Sequence, residues 1–342
     1  MHICQSTKKD INIISRTMPD LYPLIFKSIY KDKIWGGRKL FSHLARDCPP
    51  GSRCGESWEV CGLPSDDSLV KNGALAGTSL SALLRHYREC LVGKSPYARF
   101  GNRFPLLVKF IDAADDLSIQ VHPGDVLAGM KHDSPGKTEM WYVIQADPGA
   151  TLIAGFNRPV SAALCRERFE CGRVDDILNR HAVAAGDVFF LPAGRVHAIG
   201  KGVLIAEIQQ ASDVTYRIHD YDRVDANGRR RALDTDNAIA ALDVGADQDC
   251  RLAYQEILNA PARLVHCEHF TADILACSET VVRNYAFDSF VIHVCVHGAY
   301  TIDYGRGRLD VRIGDCVLIP AAIESVNLET ESGFKLLECF IV

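Results

Sequence analysis

From Pro105 onward the chain breaks into short β-rich runs, and that punctuation limits the folds open to it. Leu106 to Ile111, Ser118 to Val121, Met140 to Ile144, Thr151 to Ala154, Val188 to Leu191 and Val203 to Ile208 are separated by Gly, Pro or Asp turns. Many short strands with such turns close into a sandwich or a barrel. Helical spacing is confined to a few places. Ser79 to Leu91 sets Leu80, Leu83, Leu84, Tyr87 and Leu91 on one face behind Ser79 as N-cap. Ala162 to Leu178 and Thr235 to Leu242 are predicted as further helices. Trp35-Gly36-Gly37 and Gly55 to Val60 read as turn-then-strand patterns.

A connector at 243–262 leads to a second all-β run, with Val291 to Val296, Tyr300 to Tyr304, Leu309 to Ile313 and Val317 to Ile319 as strands. The two β regions echo each other. Gly186-Asp187, Val188 to Leu191 and Pro192-Ala193 match Gly314-Asp315, Cys316 to Ile319 and Pro320-Ala321. An Asp-bearing turn feeds a buried strand that ends at a Pro. This predicts an all-β dominated fold of two jelly rolls with a few short helices. The expected organisation is a polar extension at 1–18 with Met18 as an alternative start, a catalytic module at 19–243 with helical insertions, and a connector plus second module at 244–342.

Bulk properties exclude several partner classes. The 342 residues carry 38 Lys and Arg against 43 Asp and Glu, a formal net charge of -5, so no overall basic field attracts nucleic acid. No run approaches the ~20 apolar residues of a membrane-spanning helix, and the N-terminus lacks a signal-peptide core. The 13 Cys are odd in number and scattered without a CxxC, which points to a reducing cytoplasm rather than a disulfide framework.

The residues that carry chemistry lie in three places. Gln120 and His122 are two apart on a predicted strand and share a face. Glu139 heads the strand of Met140 to Ile144, and His197 follows the Phe189 to Pro192 strand. Strands of one barrel can bring these side chains together inside it. Two His and one carboxylate leave open positions on a metal, and the Gln120 amide oxygen offers a fourth ligand. The same donors suit zinc or non-haem Fe(II). In the second module Glu324 follows the matching Pro and no His does, so the metal is expected in the first jelly roll.

Lys137 lies two residues before Glu139 and shares its face on an extended segment, where a cation can meet an anionic substrate. Arg217 follows the Val203 to Ile208 strand and carries a planar donor fork suited to an enediolate or a phosphate. Arg229-Arg230-Arg231, beside Asn227-Gly228, reads as a solvated turn.

SIQVHP, GKTEMWYV, AGDVFFLPAGRVHAIG and IQQASDVTYRIHDYDR resemble the class I mannose-6-phosphate isomerases, and WGGRKL and GESWEV fit their short bacterial form. The resemblance covers roughly Leu24 to Asp243 closely, and the segment from 262 onward more loosely. It implies a cupin fold, with one zinc per chain held by His122, Glu139 and His197 and with Gln120 as fourth ligand. It implies Arg217 as the catalytic arginine and Ser118 and Lys137 as substrate-pocket residues. The reaction implied is the reversible conversion of mannose 6-phosphate to fructose 6-phosphate through an enediol. The implied partner is a small phosphosugar, with neither nucleic acid nor membrane, and with the oligomeric state left open between monomer and weak dimer. Arg223 and Lys137 are nearby cations for its phosphate. His219, Asp220, Lys137 and a metal-bound water stay open as the proton-transfer base. The competing readings are an Fe(II)-dependent cupin oxygenase and a non-catalytic sugar-binding cupin. Cys61 after GESWEV and the N-terminal extension depart from the family pattern without touching these residues.

Overall fold

In the computed structural model, residues 20–49, 51–224, 227–245 and 250–341 are described; the polar extension and Met18 lie outside them. Seven strands form the largest sheet of the first barrel. Their order is Arg251–Leu252, Val188–Leu191, Glu139–Ala146, Val203–Gln210, Leu106–Ala113, Ile29–Gly37 and Cys54–Val60. A facing sheet holds Leu178–Ala182, Thr151–Phe156, His197–Ile199, Ile119–Val121 and Tyr216–His219.

Leu106–Ala113 and Val203–Gln210 are buried along their whole length. That double burial is why they read as nearly continuous apolar runs. One side of each packs Ile111, Val203 and Ile205 against Trp141, Leu152, Phe189 and Ile199 between the two sheets. The other side sends Val108, Phe110, Ala206 and Ile208 against Ile274, Ile292, Val294 and Leu337 of the second barrel. The barrels therefore stand back to back across a shared core.

The second barrel is organised around Val291–Asp303. This strand pairs with Cys316–Ile319 and Phe334–Phe340 near its start, and with Arg308–Arg312 and Ser325–Glu329 near its end. Two separate strands were expected here. The register instead slips between Cys295 and His297, and Gly298 follows at φ 71°. A Cβ on Gly298 would lie 2.3 Å from the Gly333 carbonyl oxygen. A bulge bends the strand without ending it.

The helices are shorter than their patterns suggest. Ser79 caps Leu80–Tyr87 by accepting from the Ala82 N–H at 3.3 Å. Arg88 then takes φ 48° and a separate turn, Glu89–Val92, carries Leu91. The helix from Ala162 ends at Glu170, because Gly172 adopts φ 70° and breaks the spiral. A 3₁₀ turn at Val174–Asp176 follows, and Leu178 already begins a strand. The predicted connector contains Arg251–Leu252, which extends the largest sheet beside Val188 and Phe189. At the other end of the chain, Leu24–Ile25 pairs with Val317 and Leu318 of the second barrel.

Candidate active site

Four of the expected residues meet inside the first barrel. Glu139 enters from the seven-stranded sheet. Gln120, His122 and His197 come from the facing sheet and its ends, where Gln120 and His197 are direct strand partners. Ligand atoms of His122, Glu139 and His197 lie within 4.8 Å of one another, and all three residues are buried. Among the described residues no second group of this kind occurs.

The imidazoles are oriented from behind. His122 Nδ1 faces the Val214 carbonyl oxygen at 2.9 Å, and His197 Nδ1 faces that of Arg195 at 2.8 Å. A carbonyl only accepts, so each Nδ1 carries the proton and each Nε2 presents a lone pair. These Nε2 atoms are 3.2 Å apart. Glu139 Oε1 lies 3.3 Å from His197 Nε2 and has no hydrogen-bond donor. Three electron-rich atoms turned on one another with no proton between them fit a cation. The Gln120 amide reaches the same centre with its Nε2, a donor, 3.3 Å from His197 Nε2, so the amide must turn over for its oxygen to serve as a ligand.

Burial, reinforced by Lys137, holds His122 well below its usual range and brings His197 down to about 4. Both rings are neutral, as coordination requires. Burial and then Glu207 push the Glu139 carboxyl up to about 7. A bound cation opposes that shift.

Lys137 Nζ contacts Glu139 Oε2, and lies 3.1 Å from His122 Nε2 and 3.3 Å from Glu207 Oε1. Glu207 also pairs with Lys109 at 3.0 Å and accepts from Trp141 Nε1 at 2.9 Å. Lys109 lies 3.8 Å from Glu56, which pairs with Lys33 at 3.0 Å. Charges thus alternate along the wall. Burial alone would lower Lys109, but Glu207 and Glu56 outweigh it and raise it. Burial likewise opposes the Glu56 charge, yet Lys109 and Lys33 take that carboxyl down to about 2. Sequence reasoning missed Lys109, Glu207 and Glu56. The available signal was a single Lys and a single Glu inside otherwise apolar strands, since a buried charge needs a partner.

A cavity of about 280 Å³ is lined by Gln120, Lys137, Lys109, Glu207, Ser118 and Arg217 among others. Arg217 lies opposite Gln120 in the strand register. Its Nε donates to Ser118 Oγ at 3.2 Å and one terminal nitrogen donates to the Ala232 carbonyl at 3.2 Å. His219, Asp220 and Arg223 do not line this cavity. Arg223 donates to the Asp220 carboxylate and to the Asp116 carbonyl. Arg231, expected in a solvated turn, lines the cavity instead, held by its bonds to Asp220, the residue that follows Tyr216–His219.

Two back-to-back jelly rolls with a two-His, one-carboxylate set in the first define an enzyme of the cupin class. Residues 24–142 match the family model for phosphomannose isomerase type I, catalytic domain. The chain is 37% identical over 304 residues to a mannose-6-phosphate isomerase of Streptococcus mutans, covering 89% of this chain and 94% of that protein. It is 36% identical over 312 residues to the mannose-6-phosphate isomerase ManA of Bacillus subtilis, covering 90% and 96%. The crystal structure of the Bacillus subtilis mannose 6-phosphate isomerase superimposes with a TM-score of 0.84 at 30% identity, over 93% of this chain and 99% of that one. A zinc-bound mannose 6-phosphate isomerase shares the fold with a TM-score of 0.76 at 17% identity, over 93% and 99%. The chain belongs to the type I mannose-6-phosphate isomerase family. Among the described residues no helix is long and apolar enough to cross a membrane.

Proposed function

We propose that this enzyme interconverts mannose 6-phosphate and fructose 6-phosphate through an enediol, with one zinc per chain. His122, Glu139 and His197 would hold the ion, with Gln120 as a fourth ligand. The observation that carries the reading is the pair of Nε2 lone pairs turned on Glu139, beside the Lys137 ammonium.

An aldose–ketose isomerase moves a proton between C1 and C2, and negative charge grows on the O1/O2 side. A bound divalent ion supplies Lewis acidity for that charge. Lys137 presents its ammonium to a sugar oxygen at the end of the cavity nearest Glu139. Arg217, steadied by Ser118 and the Ala232 carbonyl, aims its fork at the enediolate. Of the side chains open as the proton carrier, Lys137 lines the cavity while His219 and Asp220 do not.

The strand register supports a catalytic first module within 19–243 and a metal-free second module within 244–342. Val291 lies opposite Ile319 just as Glu139 lies opposite Leu191, and Ser325 lies opposite Asn284 as His197 lies opposite Gln120. None of Val291, Ser325 and Asn284 is a His or a carboxylate. Among the described residues no disulfide joins the cysteines, in keeping with a reducing cytoplasm.

The test is a coupled assay with mannose 6-phosphate, before and after chelation and after zinc is restored. Turnover lost to the chelator and regained with zinc supports the proposal. Absence of turnover on mannose 6-phosphate removes it. Oxygen consumption with Fe(II) would favour the oxygenase reading.

A further inference from the structure

We infer that Arg231, anchored on Asp220, reads the phosphate of the substrate. This rests on the mannose 6-phosphate reading above. The Arg231 side chain is 28% exposed and lines the cavity that also holds Arg217 and Lys137. Of the consecutive Arg229, Arg230 and Arg231, it alone does so; Arg230 pairs with Asp222 at 2.8 Å on the surface.

The charge balance around Arg231 is uneven. Its Nε donates to Asp220 Oδ2 at 2.8 Å, and a terminal nitrogen donates to Oδ1. Arg223 donates to that same Oδ1. One carboxylate therefore serves two guanidinium groups. Arg217 stands close enough to feel the surplus. Burial, and after it the Arg231 charge, hold the Arg217 guanidinium below its ordinary range. The acids at hand are Asp220, already shared, Asp234 near Arg217, and on the cavity wall Asp213 together with Glu56 and Glu207, which are paired with lysines.

Two guanidinium groups that repel one another on a cavity wall are stabilised by an anion between them. A phosphate dianion offers three acceptor oxygens to such forks. Arg223, an obvious candidate from its place in the chain, is occupied by Asp220 and by the Asp116 carbonyl, and does not reach the cavity. Lys137, between Glu139 and Glu207, stands at the end where C1 and C2 react. Lys109 and Lys33 on the same wall are paired with Glu207 and Glu56. Arg231 is thus the cation left to face a group carried far from C1 and C2.

Mannitol 6-phosphate, the substrate with its carbonyl reduced, cannot isomerise and reports binding alone. Calorimetric titration of the zinc-loaded enzyme should give an affinity about 30-fold weaker in Arg231→Gln, the loss of one charge-assisted pair. The KM for mannose 6-phosphate should rise by a similar factor, with kcat changed less than about threefold. Inorganic phosphate should inhibit the wild type and fail to inhibit the variant. If Arg231→Gln does not fold, Arg231→Lys takes its place, with a loss of about fivefold because the fork is gone. Unchanged affinity for mannitol 6-phosphate, or a fall in kcat with KM intact, overturns the inference. Wild-type enzyme that neither binds mannitol 6-phosphate nor turns over mannose 6-phosphate would instead remove the proposed function itself.

Discussion

Glu207 and Glu338 occupy the same station in the two barrels. Glu207 lies opposite Trp141 and Glu338 opposite His293, and Trp141 and His293 lie opposite Phe189 and Val317 of the repeated Gly-Asp strands. The surroundings differ. Glu207 faces Lys109 and Lys137 at the edge of the open cavity. Glu338 is closed off by Arg283, which donates to both oxygens at 2.9 and 2.6 Å, and by the Tyr285 hydroxyl at 3.2 Å. Both carboxylates are paired, but Glu207 and its lysines border an open cavity whereas Glu338 is enclosed by its partners.

Metal content should follow that division. Elemental analysis is expected to give about one equivalent per chain, and His197→Ala should lose most of it, because removing a ligand opens the site. Two equivalents retained in the variant would place ions outside the first barrel and contradict the one-site description.

Arg217→Ala should keep its metal and its unfolding temperature while kcat falls about 100-fold, the scale of a lost preorganised donor. Arg217→Lys should recover little, since a point charge does not reproduce the fork held by Ser118. Metal content, melting and steady-state kinetics on one preparation decide this. An unchanged kcat with a raised KM would show uniform substrate binding instead.

Much of this arrangement is legible in the chain. The Gly-Asp turns and terminal prolines mark the repeated strands, and the two-residue spacing of Gln120 and His122 already sets both on one face. Lys109, Glu207 and Arg231 are harder to read. A Lys in an apolar strand has no visible partner until Lys109 and Glu207 are brought opposite each other by strand pairing. Arg231 follows a turn whose composition signals solvent, and only its bonds to Asp220 return it to the cavity. Two helix ends are hidden in the chain because Arg88 and Gly172 take positive φ inside continuing hydrophobic patterns.

Glu207→Ala should destabilise the fold by about 3–5 kcal/mol, because it strands the buried Lys109 ammonium. Adding Lys109→Met to that variant should restore part of the loss. Denaturant unfolding of both single variants and the double variant measures the coupling. A double variant as unstable as the sum of the two singles would refute it.

Acid should weaken the second barrel through Glu338. Burial opposes its charge, but His293 and Arg283 lower the carboxyl from 4.5 to about 2. A depressed folded value means the stabilisation is complete above 4.5 and is lost as pH falls through about 2. The shift corresponds to roughly 3 kcal/mol. Denaturant midpoints should therefore drop across that window, and Glu338→Gln should be less stable at neutral pH with a flatter acid profile. An acid profile identical to wild type would assign the loss to other groups.

The pairing of Leu24–Ile25 with Val317 and Leu318 has a consequence for synthesis on the ribosome. Its two sides lie about 290 residues apart in the chain. At about 5–20 residues per second, the first strand waits on the order of 15–60 s for its partner to be translated. Through that interval Leu24, fully buried in the finished protein, lacks the neighbouring strand that ties it into its sheet. The nascent chain thus carries an unmatched edge until Cys316–Ile319 has been made, and only then can the first strand be sealed into its sheet.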